Sequence, residues 1–492
     1  MAETLDPSGA DRRLDELVLR TPGYEGAATL IHGAGVPEGM RAATAADELL
    51  RPTFERAGLV VQYEVVLDEL TSVATATIGT VRSGAGEPGI ELELPEVAEG
   101  WEQMVLATDA SGIATWHFAL PSPAAAPVLR GTRRRTYRVR AIHTPPPPAA
   151  GEATVRGVLG GIGHALIRVL AFKLIDPLLG EVGEYFAARW EAQYRPYRVR
   201  TFAPDDYTSA EASTFAPADW DGLRGARALL FLHGTFSRAH TAFSGLPLDA
   251  LLTLHSRYEG RIFAFDHYTL SDNPRRNVEQ LLSQIPVGCA PLELDVVCHS
   301  RGGLVARCLA ERSELAIERV VFVGTPNAGT VLADFDHLGD LLDAYTTLLS
   351  FVPDVGITDV LETLIALAKS LAVGALKGLE GLVSMTPRGT FLDHLNATAS
   401  ASAGAGYFAL ASDYEPVNPA LREWARNRLT DSLFEHAAND LVVPTDGVYS
   451  ANGAVGFPIA DRHVFGRTDG VAHSDYFTSA IGAGKLLEWL TG

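Results

Sequence analysis

From residue 226 onward the chain alternates short apolar runs with helical patterns, and that alternation decides what it can fold into. The runs are "RALLFLHG", "RIFAFDHY", "LELDVVCHS", "ERVVFVGTP", "GYFALAS" and "RHVFGR". Near-continuous apolar runs suit strands buried on both faces, and helices between consecutive strands imply parallel crossovers. The expectation is a mostly parallel sheet with helices on its two faces.

One of these runs ends unusually. In "LDVVCHSRGGLVARCLAE" (residues 294–311) a β-branched stretch reaches Cys298 and His299, breaks at Ser300, passes two glycines and becomes helical. Serine is a poor nucleophile without a base to take its proton and donors to hold the resulting oxyanion. A tight strand-to-helix turn serves both needs. It exposes the hydroxyl above the sheet, and it aims the next backbone N–H, that of Arg301, at the same place. Such a turn is crowded, so small residues are needed two before and two after the serine, in the pattern G-x-S-x-G. Here Cys298 holds the first of those places and Gly302 the second, with Gly303 behind. Cysteine is small enough for the turn to form. A second oxyanion donor is expected after an earlier strand. In "RALLFLHGTFS" the N–H of Thr235 is the candidate and that of Phe236 the alternative, while His233 reads as a loop-structuring residue.

Acid and base are expected in chain order after the serine. His473 lies in "RTDGVAHSDYF", between the last strand and the closing helix, and is the candidate base; His463 falls inside the strand and reads as structural. Asp440, in "NDLVVP", leads directly into an apolar turn and is the preferred acid. Asp446 and Asp413 are the alternatives. The acid's task is to fix the tautomer of the histidine and to stabilise the imidazolium.

The first half has another texture. Its first 50 residues carry short helical patterns. "LVVQYEVVL", "SVATATIGTVR", "IELELPEV", "ATWHFAL" and "RTYRVRAIH" then suggest a small β-sandwich. "TPPPPAAGEA" (residues 144–153) reads as a stiff extended linker, and residues 155–193 as a helical segment. "YRVR" occurs at residues 137–140 and 197–200, both read as exposed strand ends. The expected division is a β-rich accessory domain over 1–150, a helical linker over 151–200 and a catalytic domain over 201–492. Residues 331–390 are too long for a plain loop and read as an apolar helical cap or lid, loosened by Gly374, Gly378 and Gly381.

Composition narrows the function. A formal charge of −20 argues against a nucleic-acid binder, which must neutralise phosphates. The N-terminal residues lack the basic start and apolar stretch of a secretory signal. The longest apolar stretch is broken by His164, Arg168, Lys173 and Asp176, short of the roughly 18 apolar residues a membrane span needs. A cytoplasmic protein is expected. Three cysteines, Cys289, Cys298 and Cys308, are an odd number without CxxC spacing, and read as reduced core thiols.

Taken together, "FLHGTFS", "CHSRGGLVAR", "VVFVGTPNAGT", "NDLVVP" and "HSDYF" resemble the lipase-like branch of the α/β-hydrolases, in particular bacterial triacylglycerol lipases, over residues 226–490. "MTPRGTFLDHLN" resembles the segment after the lid in such lipases. The resemblance implies an α/β-hydrolase fold with a helical cap and a carboxylic ester substrate, small or lipid. It implies a Ser300–His473–Asp440 triad, an oxyanion hole from the N–H groups of Thr235 and Arg301, and no organic cofactor; no ligand cluster in the sequence names a metal. Cys298 and Arg301 depart from the usual elbow, and Arg301 adds charge beside the site. Acyl transfer by the same residues is an alternative, as is a low-turnover binding module with a protein partner on residues 1–200.

Overall fold

The computed structural model describes residues 2–31, 52–72, 89–109, 112–120, 133–140, 163–174, 186–351, 357–374, 376, 378–397, 405–416, 421–422, 437–451 and 459–492. The chain divides into two compact units. The first is Met1–Val182 with Tyr345–Val352 and Leu371–Gly374; the second is Gly183–Ala344, Pro353–Ser370 and Ala375–Gly492.

The first unit holds strands β1 (Ala2–Thr4), β2 (Arg12–Leu14), β3 (Leu17–Arg20), β4 (Tyr24–Ile31), β5 (Leu59–Ser72), β6 (Gly89–Pro95), β7 (Trp101–Asp109), β8 (Ala114–His117), β9 (Arg134–Arg140) and β10 (Gly163–Lys173). They form a sheet in the order β1-β4-β5-β10-β7-β8 and a smaller one in the order β2-β3-β6-β9. Leu19, Leu92 and Val139 of the small sheet share one buried cluster with Leu67, Val105 and Ile167 of the large sheet. This is the sandwich that the alternating runs suggest. The run "SVATATIGTVR", after its first residue, and the proline-rich stretch lie outside the described residues.

Three expectations for this half are corrected. The first residues form strands, where helical patterns had been read. Leu14 and Leu17 look like helical neighbours, yet they pair across a hairpin whose turn is Asp15–Glu16, with Asp15 at φ 56°. Aspartate tolerates that left-handed conformation, so the turn carries no glycine to announce it. Residues 163–173, expected within a helix, form the strand between β5 and β7. A continuous apolar run has no period that separates buried strand from buried helix. Its one charged residue inside the sheet, Arg168, is buried against Glu64 at 3.2 Å. The second "YRVR" is also no exposed strand end: Arg200 is fully buried, and donates to the carbonyls of Thr201 and Asp206. In the first copy's strand, Arg134 pairs with Glu93 and Arg135 with Glu102.

The second unit is built on β11 (Arg198–Thr201), β12 (Ala228–Leu232), β13 (Ile262–Asp266), β14 (Leu292–His299), β15 (Leu315–Val323), β16 (Gly406–Ser412) and β17 (Ile459–Phe465). The order is β11-β13-β12-β14-β15-β16-β17. Only β11 is antiparallel to its neighbour. All six runs read from the sequence are here as parallel strands. Every residue of β12 and β13 is buried, which is why they read as unbroken apolar stretches. The chain runs from β12 to β13 on one side and then crosses back to β14 on the other, so the direction of winding reverses here. Open α/β sheets bind ligands beyond the carboxyl ends of the strands at such a reversal.

Helices Leu338–Phe351, Ile357–Ala372 and Glu380–Val383 occupy the stretch expected to be helical. The glycines there do not loosen a helix. Gly374 and Gly378 stand past its end at φ 70° and 84°, in turns. Gly381 is a close approach: a side chain there would fall on Thr269 O and within 2.7 Å of Thr269 C.

The core predicts its own fragility. Phe231 is fully buried in β12, with its ring 4.4 Å from that of Phe202 and 4.9 Å from that of Phe243. Phe231→Ala is expected to cost about 3–5 kcal/mol in denaturant unfolding monitored by fluorescence.

Candidate active site

β14 ends at His299 and the helix Gly302–Ala310 begins three residues later, so the whole reversal falls on Ser300 and Arg301. Ser300 takes φ 51°, a left-handed conformation that a residue with a side chain rarely adopts. Its N–H donates to Val323 O at 2.8 Å, and its carbonyl accepts from Gly303 N at 3.0 Å. The turn exists because three neighbours lack side chains. A Cβ on Gly302 would fall on Leu232 O and 2.6 Å from His233 O; one on Gly234 would stand 2.6 Å from Ser300 Cβ; one on Gly303 would collide with Thr325. The loop after β12 is thus pressed against the serine. Cys298 fills the other small position: it is buried, and its thiol donates to Val321 O at 3.2 Å. Burial raises its pKa, which leaves it an unreactive thiol.

The loop after β12 is Gly234–Thr235–Phe236, with Phe236 at φ 63°. Among the described residues, the backbone N–H groups of Thr235 and Arg301 have no hydrogen-bond acceptor. The Thr235 hydroxyl points to Met385 Sδ at 3.7 Å. His233 holds this loop from beneath. Its Nε2 accepts from His267 N at 3.1 Å, so Nδ1 carries the proton and donates to Gly234 O at 2.9 Å. Burial pushes His233 down to about 4, which keeps the ring neutral in this tautomer.

The structure brings Asp440 and His473 into contact. His473 Nδ1 donates to Asp440 Oδ2 at 2.8 Å, and His473 N donates to Asp440 O at 3.0 Å. Asp440 Oδ1 accepts the amides of Val442 at 3.0 Å and Val443 at 2.7 Å, in a tight turn that Leu441 makes at φ 80°. Burial alone would raise the Asp440 carboxyl, but the facing imidazole and these hydrogen bonds outweigh it and hold it below the ordinary range. The carboxylate is therefore an acceptor only, which places the proton of a neutral His473 on Nδ1 and leaves Nε2 as the acceptor nitrogen. Gly324, first of "GTPNAGT", makes room for the pair, since a Cβ there would lie 3.3 Å from both Asp440 Oδ2 and His473 Cε1. Asp413 is ion-paired with Arg467 instead, and Asp446 accepts from Tyr449 OH.

Three participants were not singled out from the sequence. Tyr476 donates to Asp440 Oδ2 at 2.8 Å. His299 joins the turn at Ser300 to the loop of His473: its Nε2 donates to His473 O at 2.9 Å, with the two rings 4.9 Å apart. Glu191, buried, accepts from the amides of Thr269, Leu270 and Ser271. Tyr476 and His299 do stand in quoted motifs, "HSDYF" and "CHSRGG". Glu191 stands in a segment with no motif. The Arg301 side chain needs a correction. Its charge is not exposed at the site. It is fully buried, and donates to Gly381 O at 2.8 Å, Tyr268 O at 3.3 Å, Asn277 Oδ1 at 2.9 Å and Asp272 O. Among the described residues no group of three or more His, Cys, Asp or Glu is placed to hold a metal ion, and no helix is long and apolar enough to cross a membrane.

Fold and site together define an α/β protein with a strained serine between strand and helix and a buried histidine–aspartate pair in the loops of the same sheet. The chain belongs to the family described as "Domain of unknown function (DUF7379)", whose model matches residues 194–491. It is 29% identical over 116 residues to triacylglycerol lipases of Pseudarthrobacter phenanthrenivorans and Burkholderia plantarii, a match that covers 23% of this chain and 36% and 32% of theirs. The chain thus spans about a third of the length of these curated relatives. The match supports a lipase-like relationship. Among solved structures it is similar to lipase 1 from Pelosinus fermentans (13% identity, TM-score 0.37, 53% of this chain and 98% of that one). It is also similar to an alpha/beta hydrolase fold protein from Chitinophaga pinensis (16%, 0.34, 60% and 93%).

The elbow yields a direct prediction. Gly302→Ala drives a methyl group into backbone carbonyls that cannot yield, and is expected to destabilise the protein by more than about 2 kcal/mol. Gly339→Ala, in the helix Leu338–Phe351, meets nothing within 4 Å and serves as the control, with a melting temperature that does not fall.

Proposed function

We propose that this protein is a serine hydrolase of α/β-hydrolase fold that cleaves carboxylic esters through an acyl-enzyme. The observation that carries the reading is the buried His473 Nδ1–Asp440 Oδ2 hydrogen bond of 2.8 Å, in loops that share the carboxyl end of one sheet with the strained Ser300. His473 Nε2 takes the proton of Ser300 as Oγ attacks the ester carbonyl. Asp440 stabilises the imidazolium that forms. The N–H groups of Thr235 and Arg301 receive the oxyanion, and because no other acceptor holds them they need no rearrangement to do so. The imidazolium then protonates the leaving alcohol, and water repeats the sequence to release the acid.

Two features favour an apolar acyl group. The helices Leu338–Phe351 and Ile357–Ala372 are rich in leucine, and they follow directly from the loop that makes room for the Asp440–His473 pair. Met385 lies against Thr235, at the oxyanion loop itself. The triacylglycerol lipases that match part of this chain point to the same substrate class. We read these helices as a lid over the acyl site.

A fluorophosphonate probe tests the serine: wild type is expected to label, and Ser300→Ala to fold equally well and remain unlabelled. Retained ester hydrolysis in purified Ser300→Ala would overturn the reading. Asp440→Asn is expected to lower turnover by roughly 10⁴, the scale seen when a triad acid loses its charge. Asp413→Asn, which only frees the surface residue Arg467, is expected to change turnover little.

A further inference from the structure

The carboxylate of Asp440 has two oxygens in different situations. Oδ1 is fixed by the backbone, through the amides of Val442 and Val443. Oδ2 is shared, because it accepts both His473 Nδ1–H and Tyr476 O–H, each at 2.8 Å. Tyr476 is fully buried, three residues after His473 in the same loop. Its ring also fills the space beside Gly324, where a Cβ would stand 2.8 Å from Tyr476 Cε2. Burial, with Asp440 facing it, raises the phenol's pKa far above its usual value, so the hydroxyl remains a donor throughout the working range.

Sharing one oxygen has a chemical consequence. A hydrogen bond from Tyr476 draws charge away from the side of the carboxylate that faces the imidazole, and it also fixes the plane of that carboxylate. Less charge at Oδ2 means less stabilisation of an imidazolium. We propose that Tyr476 is a positioning residue for the reaction at Ser300, whose hydroxyl orients Asp440 and restrains the basicity of His473 through their common oxygen. This rests on the serine-hydrolase reading above.

Other groups also face His473. His299 donates to its carbonyl, and burial pushes that ring down to about 3, so it stays neutral and does not titrate with the base. Asp475 is next but one along the chain; burial raises its carboxyl, and its Oδ2 accepts from Ala472 N. Neither bonds to the Tyr476 hydroxyl, so Tyr476→Phe removes one donor from Asp440 and leaves the remaining charges in place.

The test is the pH dependence of kcat/KM for a water-soluble ester in wild type and Tyr476→Phe. The base works when neutral, so a more basic His473 moves the rising limb to higher pH. The expected shift is upward by roughly half to one pH unit. The hydrogen-bonded Nδ1 proton, followed by NMR in Ser300→Ala and in Ser300→Ala/Tyr476→Phe, is expected to report a titration midpoint displaced in the same direction. A lower melting temperature with limb and midpoint unmoved would make Tyr476 a packing residue and overturn the proposal. If Ser300→Ala kept its ester activity, the underlying reading would fall, while the NMR midpoint would still decide whether Tyr476 acts on His473.

Discussion

The reversal of direction at Ser300 is the constraint from which the rest of the second unit follows. A parallel strand must hand over to a helix within two residues, and the backbone does so by placing Ser300 in the left-handed region. That conformation costs of order 1–3 kcal/mol and persists only where the surroundings over-determine it. Here they do so by contact. The carbonyls of Leu232 and His233 lie where a side chain on Gly302 would be, and Ser300 Cβ lies where one on Gly234 would be. β12 and β14 must be neighbours in register for this to happen, and Leu232 is indeed paired with Cys298. The sheet order and the two glycine-bearing loops are thus one geometric solution.

Electrostatics around that turn follow one rule: buried charge is met by complementary groups. Asp440 receives two amides, an imidazole and a phenol. Glu191 receives three amides and the Ser271 hydroxyl, at 2.6 Å. Arg301 is pushed down to about 10 by burial, yet it remains a cation at neutral pH and spends its donors on four oxygens. Residues 268–272 are consequently gripped at both polarities, their amides by Glu191 and their carbonyls by Arg301. Asp359, in the helix Ile357–Ala372, is held in the same manner by Arg238 and His240, at 2.9 Å each. Those two residues follow directly on the loop Gly234–Thr235–Phe236.

What could be read from the sequence was what local pattern determines. The parallel strands were legible because full burial leaves unbroken apolar runs. Ser300, Asp440 and His473 were legible because chain order and turn chemistry place them; the structure brings Asp440 and His473 into contact and sets Ser300 at the turn. The errors have physical causes. The Asp15–Glu16 hairpin contains no glycine, and β10 has no period to distinguish it from a helix. The charge of Arg301 looked like a feature of the site because sequence gives a side chain's type and not its direction. Glu191 was invisible, since its partners are backbone amides some eighty positions away, and those leave no trace in composition.

The four-way anchorage of Arg301 also reaches the chain that follows the apolar helices. Gly381 donates to Leu270 O and accepts from Arg301, so this point of the chain is bolted to the elbow on one side and to the loop after β13 on the other. The helix Ile357–Ala372 before it is anchored as well, through Asp359 on Arg238 and His240. Arg301 and these two residues thus tie the loop after β12, the turn at Ser300 and the chain up to Gly381 into one buried network, so a change at any of them is transmitted to the others.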